Sequence, residues 1–396
     1  FQTFTDDWKQ RKLEEVISVV GGATPSKSNP RYWNGPIVWL SSQEIKEKYV
    51  SKGTYTITKK AVDDNTTKMV KAGTPLIVSR SGILARLFPI SIPTTDVAIN
   101  QDIKALIFDL NIINTNFFVA QLKKNEDFIL RSIVKTGTTV QSINMPDFYK
   151  LQLSFPSMNE QEKVGKFFQR LDDTIALHQQ KQRQIRSLKQ GFIKNLFPNN
   201  KNSAPRIRFS IFNDDWNQRN ASEIFTSVSD KNYPELPVLS ASQEKGMVLR
   251  ESNGIDIKYD QKSTGTYKRV LPGQFVMHLR SFQGGFAYST IEGITSPAYT
   301  ILAFRNKEDH YPLFWKSIFS SKNFIKRLEA ITYGIRDGRS ISYADFSTLR
   351  FWIPSYEEQK QIGDFIESID ATIAFYQRQI DMMQSLKKEL LNKMFI

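Results

Sequence analysis

The side chains that could carry out catalysis are few in kind. The chain has no cysteine, and its three histidines are His178, His278 and His310. Disulfides, cysteine nucleophiles and thiolate zinc sites are therefore excluded, and three scattered histidines build neither a metal centre nor a convincing Ser/His/Asp triad. No G-x-x-x-x-G-K-[ST] phosphate loop occurs, which argues against ATP-driven work by this chain. Gly21-Gly22 and Gly284-Gly285 are ordinary pairs, not part of a dinucleotide-binding G-x-G-x-x-G. Asn29-Pro30-Arg31-Tyr32 superficially resembles the Asn-Pro-Pro-Tyr with which methyltransferases hold an amino group, but it lacks the second proline. Glu358-Gln359-Lys360 has the E-x-K spacing of a nuclease, but a helix start already explains that glutamate. No catalytic site is legible.

Binding chemistry is the stronger signal. Fifty-four Lys and Arg against forty Asp and Glu leave a net charge of +14, which suits a polyanion, nucleic acid ahead of an acidic membrane. Three loop pairs concentrate basic and small polar residues. The first follows a strand after Gly73 and again after Gly273: Ser79, Arg80 and Ser81, then His278, Arg280 and Ser281. An arginine there can place its fork on guanine or phosphate, or pair with a carboxylate of its own globule. The second pair is Ser41, Ser42 and Gln43 with Ser242, Gln243 and Lys245, where glutamine is a natural adenine reader and turn chemistry is the alternative. The third is Thr138, Thr139 and Gln141 with Arg336, Arg339 and Ser340. Between Asp173 and Asp214 there is no acid, while Lys181, Arg183, Arg186, Lys189, Lys194, Lys201, Arg206 and Arg208 all fall there. That run is either a solvated helix face or a phosphate-neutralising one.

The elements that must position these loops occur twice. Phe4-Thr5-Asp6-Asp7-Trp8-Lys9-Gln10-Arg11 returns as Phe212-Asn213-Asp214-Asp215-Trp216-Asn217-Gln218-Arg219. A second, ungapped match carries Pro156-Ser157, Glu160-Gln161, Gly165, Phe167, Asp172 and Ser187-Leu188-Lys189 onto Pro354-Ser355, Glu358-Gln359, Gly363, Phe365, Asp370 and Ser385-Leu386-Lys387. Ser157 and Ser355, each three residues before a glutamate, have capping-box spacing. Beyond them Val164, Phe168, Leu171, Ile175 and Ile362, Ile366, Ile369, Ile373 begin seams of 3.5-residue period, interrupted at Gln182, Lys189 and Lys387. Matching registers predict two helices that pair antiparallel. Some 35 residues at 1.5 Å span ~50 Å, or roughly 15 base pairs of duplex.

Short strands are expected at 36–40, 74–78 and 105–108, and at 236–239, 274–277 and 299–304, with helices over 116–124 and 312–330. The expected fold class is α+β: two tandem globules joined by two long helices in an antiparallel coiled coil, with pseudo-two-fold symmetry. The divisions are 1–155, a helical spacer 156–197, a polar linker 198–205, 206–353, and a second spacer 354–396. No apolar run approaches the ~20 residues of a membrane span. Phe1-Gln2-Thr3-Phe4 is neither a signal peptide nor an initiator start, so preceding residues are expected.

This organisation resembles the specificity subunit of type I restriction–modification systems over essentially the whole chain. The resemblance rests on Pro156-Ser157-x-x-Glu160-Gln161 and Pro354-Ser355-x-x-Glu358-Gln359. It also rests on Val38-Trp39-Leu40-Ser41-Ser42, Val238-Leu239-Ser240-Ala241-Ser242-Gln243 and Gly293-Ile294-Thr295-Ser296-Pro297-Ala298-Tyr299. It implies a non-catalytic, cytoplasmic subunit whose two target-recognition domains read a bipartite double-stranded DNA sequence, with the helices as the ruler between half-sites. It further implies that two modification subunits, and through them restriction subunits, dock on the helical regions around Glu160, Gln161, Phe167, Leu171, Ile175, Glu358, Gln359, Phe365, Ile369 and Ile373. S-adenosylmethionine, ATP and Mg²⁺ would then belong to those partners, with no metal, cofactor or membrane contact here. A stand-alone methyltransferase or nuclease, and a coiled-coil scaffold of incidental basicity, are the alternatives.

Overall fold

The computed structural model describes residues 7–137, 140–198, 204–242, 245–253, 261–278, 285–331 and 341–395. Two compact units emerge: residues 1–180 with 378–396, and residues 181–377. Each has a globule and a pair of helical segments.

In the first unit the ends of the globule are zipped together. Strand Lys9–Lys12 runs antiparallel to Gln152–Phe155, pairing Lys9 with Phe155 and Lys12 with Gln152. Trp8, just before it, packs on Phe117 at 5.6 Å. A five-stranded sheet has the order Ser18–Gly21, Ile103–Ile107, Leu76–Val78, Ile90–Pro93, Tyr49–Val50. A four-stranded sheet has the order Tyr55–Ile57, Trp33–Leu40, Val97–Ile99, Met69–Val70, and Trp33–Leu40 lies parallel to Val97–Ile99. Helix Thr115–Lys124 starts where the Asn114 side chain accepts the Phe117 N–H at 3.1 Å, and it buries Phe117, Phe118 and Leu122.

The second unit repeats the plan. Strand Asn217–Asn220 pairs antiparallel with Arg350–Ile353, directly after the buried Trp216. Its four-stranded sheet has the order Phe225–Val228, Thr300–Phe304, Phe275–Met277, Ala287–Tyr288. The helix expected over 312–330 is two helices, Pro312–Phe319 and Lys322–Ala330. The break has a local cause: the Ser321 side chain accepts the Phe324 N–H at 3.2 Å and starts a new helix.

His310 sits in this second core at 8% exposure, stacked on Phe304 at 5.4 Å. Burial pushes its pKa down from 6.5 to about 4, with Asp309 opposing and Arg219 assisting. The unfolded chain takes up this proton near the usual value while the folded chain refuses it. Stability from the neutral ring is therefore complete above the usual histidine range and is lost as pH falls toward about 4. Between neutral pH and about pH 5 the loss is expected to be about 2 kcal/mol, and His310→Phe is expected to flatten that acid slope in urea midpoints.

Helix α1 (Met158–Leu196) and helix α2 (Tyr356–Met394) each have 39 residues, a length of about 58 Å at 1.5 Å per residue. Within the first unit, Phe168 of α1 stacks on Phe395 at 5.7 Å, and Asp172 takes the Lys387 ammonium at 2.5 Å. Within the second, Gln182 donates to the Ile373 carbonyl at 3.3 Å and to Gln377 at 2.9 Å, and Lys189 reaches Asp370 at 2.6 Å. Rising numbers on α1 meet falling numbers on α2, so each unit holds an antiparallel helix pair. The three seam interruptions are matched polar contacts across that pair. Only half of the expected capping box forms in the second unit: Ser355 Oγ accepts the Glu358 N–H at 3.3 Å, but the Glu358 carboxylate turns to Arg208 instead.

Candidate nucleic-acid interface

In the first unit the structure brings two of the three predicted loops together. Strand Leu76–Val78 ends at Ser79, which is buried: its N–H and Oγ both donate to the Asp102 carbonyl, at 2.7 and 2.9 Å, and its carbonyl accepts the Ile143 N–H at 2.9 Å. Ser79 thus shapes the loop, its hydroxyl proton committed to the Asp102 carbonyl and not to DNA. Arg80 is the exposed member. Its Nε lies 2.8 Å from Asp102 Oδ1 while the side chain stays 58% exposed, so a carboxylate of its own globule aims an accessible guanidinium. Ser81 accepts the Ile83 N–H at 3.4 Å and donates its own N–H to the Gln141 carbonyl at 3.0 Å. An isolated bridge joins Arg80 to Ser142, beside Gln141 in the hairpin of Val134–Thr136 and Gln141–Ile143. Arg80, Ser81 and Gln141 therefore share one edge, while Thr138 and Thr139 lie outside the described residues.

The loop after Trp33–Leu40 is locked by one carboxylate. Glu44 Oε2 accepts the Ser41 N–H at 2.8 Å and the Ser41 Oγ–H at 2.7 Å; its Oε1 accepts the Thr54 hydroxyl at 2.6 Å. Those hydrogen bonds hold the Glu44 carboxyl below its usual pKa, against the opposing effect of burial. Ser41 is accordingly turn chemistry, which corrects its expected role, while Ser42 is half-buried and Gln43 exposed.

In the second unit, Ser242 ends strand Leu239–Ser242 and its hydroxyl accepts the Lys245 N–H at 3.2 Å, leaving the Lys245 side chain exposed. His278 is half-buried, its ring 6.2 Å from that of Tyr299. Gln243, Arg280, Ser281, Arg336, Arg339 and Ser340 lie outside the described residues. The basic run divides: Lys189 and Arg208 are spent in ion pairs with Asp370 and Glu358, while Lys181, Arg186, Lys194 and Arg206 are exposed, and Lys201 lies outside the described residues.

The residues expected to receive partner subunits are mostly turned inward. Gln161 accepts the Asn114 N–H at 3.1 Å and donates to the carbonyls of Ile112 and Pro156 at 3.1 and 3.0 Å. Gln359 does the same to Tyr311, Asp309 and Pro354 at 3.1, 3.0 and 3.2 Å. Each glutamine clamps a helix start to the loop before its globule's own helix. Glu160 and Glu358 are buried beside them, Ile175 and Ile373 are buried in the seams, and Phe167, Leu171, Phe365 and Ile369 are half-buried. Burial removes the six fully buried side chains from any docking face, which corrects their expected role. The helices instead expose Leu177 and Leu188 on α1, at 48% and 60%, and Phe375, Met382 and Leu386 on α2, at 49%, 58% and 46%. Sequence reading missed these five. Their signal was present, because Leu177 with Phe375 and Leu188 with Leu386 are apolar repeats lying off the seam.

Among the described residues there is no cluster of three or more Asp, Glu or His fit to hold a metal ion, and no helix long and apolar enough to cross a membrane. Residues 5–187 match the type I restriction modification DNA specificity domain. Over 167 residues the chain is 32% identical to the type I restriction enzyme EcoR124I/EcoR124II specificity subunit of Escherichia coli, covering 42% of this chain. That match spans 41% of the relative's length. A longer match, 21% identical over 413 residues, joins 98% of the chain to 92% of the MjaVIII specificity subunit of Methanocaldococcus jannaschii. The crystal structure of the type I restriction–modification S subunit from M. genitalium superposes with a TM-score of 0.62 at 15% identity, covering 100% of this chain and 98% of that one. Residues 5–187 thus match the type I restriction–modification DNA specificity domain, and over its full length the chain has the fold of the M. genitalium S subunit.

Proposed function

We propose that the chain is the non-catalytic reading subunit of a type I restriction–modification enzyme, taking a bipartite DNA target with one globule per half-site. The observation that carries this is duplication. Each unit sets a globule on the start of a 39-residue helix through the same glutamine clamp, Gln161 in one and Gln359 in the other. A reader of one continuous site needs one such device. In the first globule Ser42, Gln43, Arg80, Ser81 and Gln141 face the bases or phosphates, joined by Thr138 and Thr139. In the second, Lys245, His278, Arg280, Ser281, Arg336, Arg339 and Ser340 do so, with Ser242 and Gln243. Two modification subunits dock on the helices, over the exposed Leu177, Leu188, Phe375, Met382 and Leu386. Restriction subunits join through them, in the cytoplasm where the DNA lies. S-adenosylmethionine, ATP and Mg²⁺ are the partners' reagents.

Single-molecule methylome sequencing of cells making this chain with its modification subunit tests the proposal. The expected result is a new bipartite methylated motif with a gap of several base pairs. A short continuous motif would mean that one globule reads alone and the duplication has another purpose. No new methylation, in cells shown to assemble the complex, would favour a scaffold, and methylation by the purified chain alone a methyltransferase.

A further inference from the structure

Lys48 joins the reading loop of the first unit to that unit's helix pair. Its ammonium lies 3.0 Å from Asp172 Oδ2 on α1, and the other oxygen of Asp172 takes Lys387 Nζ of α2 at 2.5 Å. The side chains of Lys48, Asp172 and Lys387 are 16%, 18% and 23% exposed, so this is a largely enclosed junction and not a surface pair. Burial pushes the Lys48 ammonium below the usual lysine pKa; Asp172 pulls it back, and Lys387 opposes. The backbone on either side is fixed. The Lys48 carbonyl accepts the Ile92 N–H at 2.7 Å, and the Glu47 carbonyl accepts the Ser91 hydroxyl at 2.5 Å. Four residues upstream, Glu44 closes the loop that presents Gln43. The segment from Gln43 to Lys48 is thus held by polar contacts at Glu44, Glu47 and Lys48, the last of which reaches α1.

The second unit is built differently at the corresponding place. Asp370, the repeat of Asp172, has both oxygens taken by Lys189 at 2.6 Å. Four residues beyond Glu244, where the first copy has Lys48, stands Val248, paired with Ser240 in a strand ladder.

We infer that Lys48 is a positioning residue: through Asp172 it sets the angle at which the first globule presents its reading loop, and with it the strictness of the gap between half-sites. The inference rests on the bipartite reading proposed above. One added base pair carries a half-site ~3.4 Å along the duplex and roughly 35° around it. A globule held to the helix pair by an enclosed ion pair cannot follow that rotation; a released one can.

The test uses the full chain in complex with its modification subunit, as wild type, Lys48→Met and Lys48→Arg. Methylation is measured on duplexes with the native gap, one base pair more and one fewer. Lys48→Met is expected to keep the native site and to raise methylation at both altered gaps by about tenfold, the factor that ~1.4 kcal/mol represents. Lys48→Arg, still able to reach Asp172, is expected to restore strictness. Hydrogen exchange without DNA supplies an independent readout: the Tyr49 and Val50 amides exchange faster in Lys48→Met while α1 keeps its protection. Unchanged exchange, or faster exchange with an unchanged gap profile, would overturn the inference alone. Loss of methylation at every gap together with loss of α1 protection would reduce Lys48 to a fold-holding residue, and overturn it too. A wild-type complex that accepts all three gaps alike would overturn the bipartite reading, and the inference with it.

Discussion

Glu358→Ala is expected to destabilise the second unit by about 3 kcal/mol, read as a lower urea midpoint of the full chain. The glutamate is 1% exposed and receives Arg208 in fork geometry, Nε to Oε1 at 2.7 Å and Nη2 to Oε2 at 2.7 Å. Removing the carboxylate leaves a guanidinium that is itself only 20% exposed, with Nη2 still donating to the Asp214 carbonyl at 2.5 Å. Breaking one side of such a pair costs more than deleting both. Arg208→Met with Glu358→Met should therefore recover part of the loss, and a double-mutant cycle would show a coupling of about 2 kcal/mol. Additive losses would mean that the pair is held by its surroundings and does not itself hold the segment before Trp216 against α2.

Gly363→Val is expected to cost a similar amount for a steric reason. A Cβ at Gly363 would stand 2.8 Å from the Phe314 nitrogen, 2.9 Å from Tyr311 Cδ1 and 3.0 Å from the Leu313 carbonyl carbon. Two of these are backbone atoms of helix Pro312–Phe319, and the neighbouring Tyr311 N–H is pinned by Gln359. Neither helix can retreat without losing the clamp, so the expected loss is about 3 kcal/mol, larger than the fraction of a kcal/mol that leaving glycine returns in helix propensity. Gly165 is the same device in the first unit, its Cβ position 2.8 Å from the Phe117 nitrogen and 2.5 Å from the capping Asn114 oxygen. Denaturation of Gly165→Val and Gly363→Val, separately and together, would check that each loosens its own unit.

Much of this architecture is legible in the residues because the chain states it twice. The two Pro-Ser-x-x-Glu-Gln segments and the two seams locate the helices without any contact information, whereas the two Trp-centred segments announce the repeat but not the strand pairing that closes each globule. The polar seam positions read as interruptions for a physical reason. A heptad pattern scores Gln182, Lys189 and Lys387 as defects, because it sees one helix at a time. The partners of the two lysines, Asp370 and Asp172, lie about 180 and 215 residues away in the sequence, those of Gln182 about 190, and they become visible only when the helices pair. Residue type and loop position point Ser79 and Ser41 toward DNA, yet backbone geometry decides whether a hydroxyl turns outward. The Asp102 carbonyl and the Glu44 carboxylate claim them first. Arg80 shows the limit from the other side, since residue type alone cannot say that one carboxylate both neutralises an arginine and aims it.

The position of Phe395 has a consequence for synthesis. Near the end of the chain and 3% exposed, it lies 5.8 Å from Trp8, 5.3 Å from Phe117 and 5.7 Å from Phe168, with Leu391 buried in the same cluster. The core that Trp8 joins is thus completed by a residue made after the whole of the second unit. A ribosome working at roughly 5–20 residues per second releases the whole second unit before it releases the residue that seals the first. The second unit, closed on segments from 181 to 377, can finish folding while the first still shows its aromatic face to solvent and to chaperones. Loss of residues 391–395 is therefore expected to be felt first at the globule that contains Trp8.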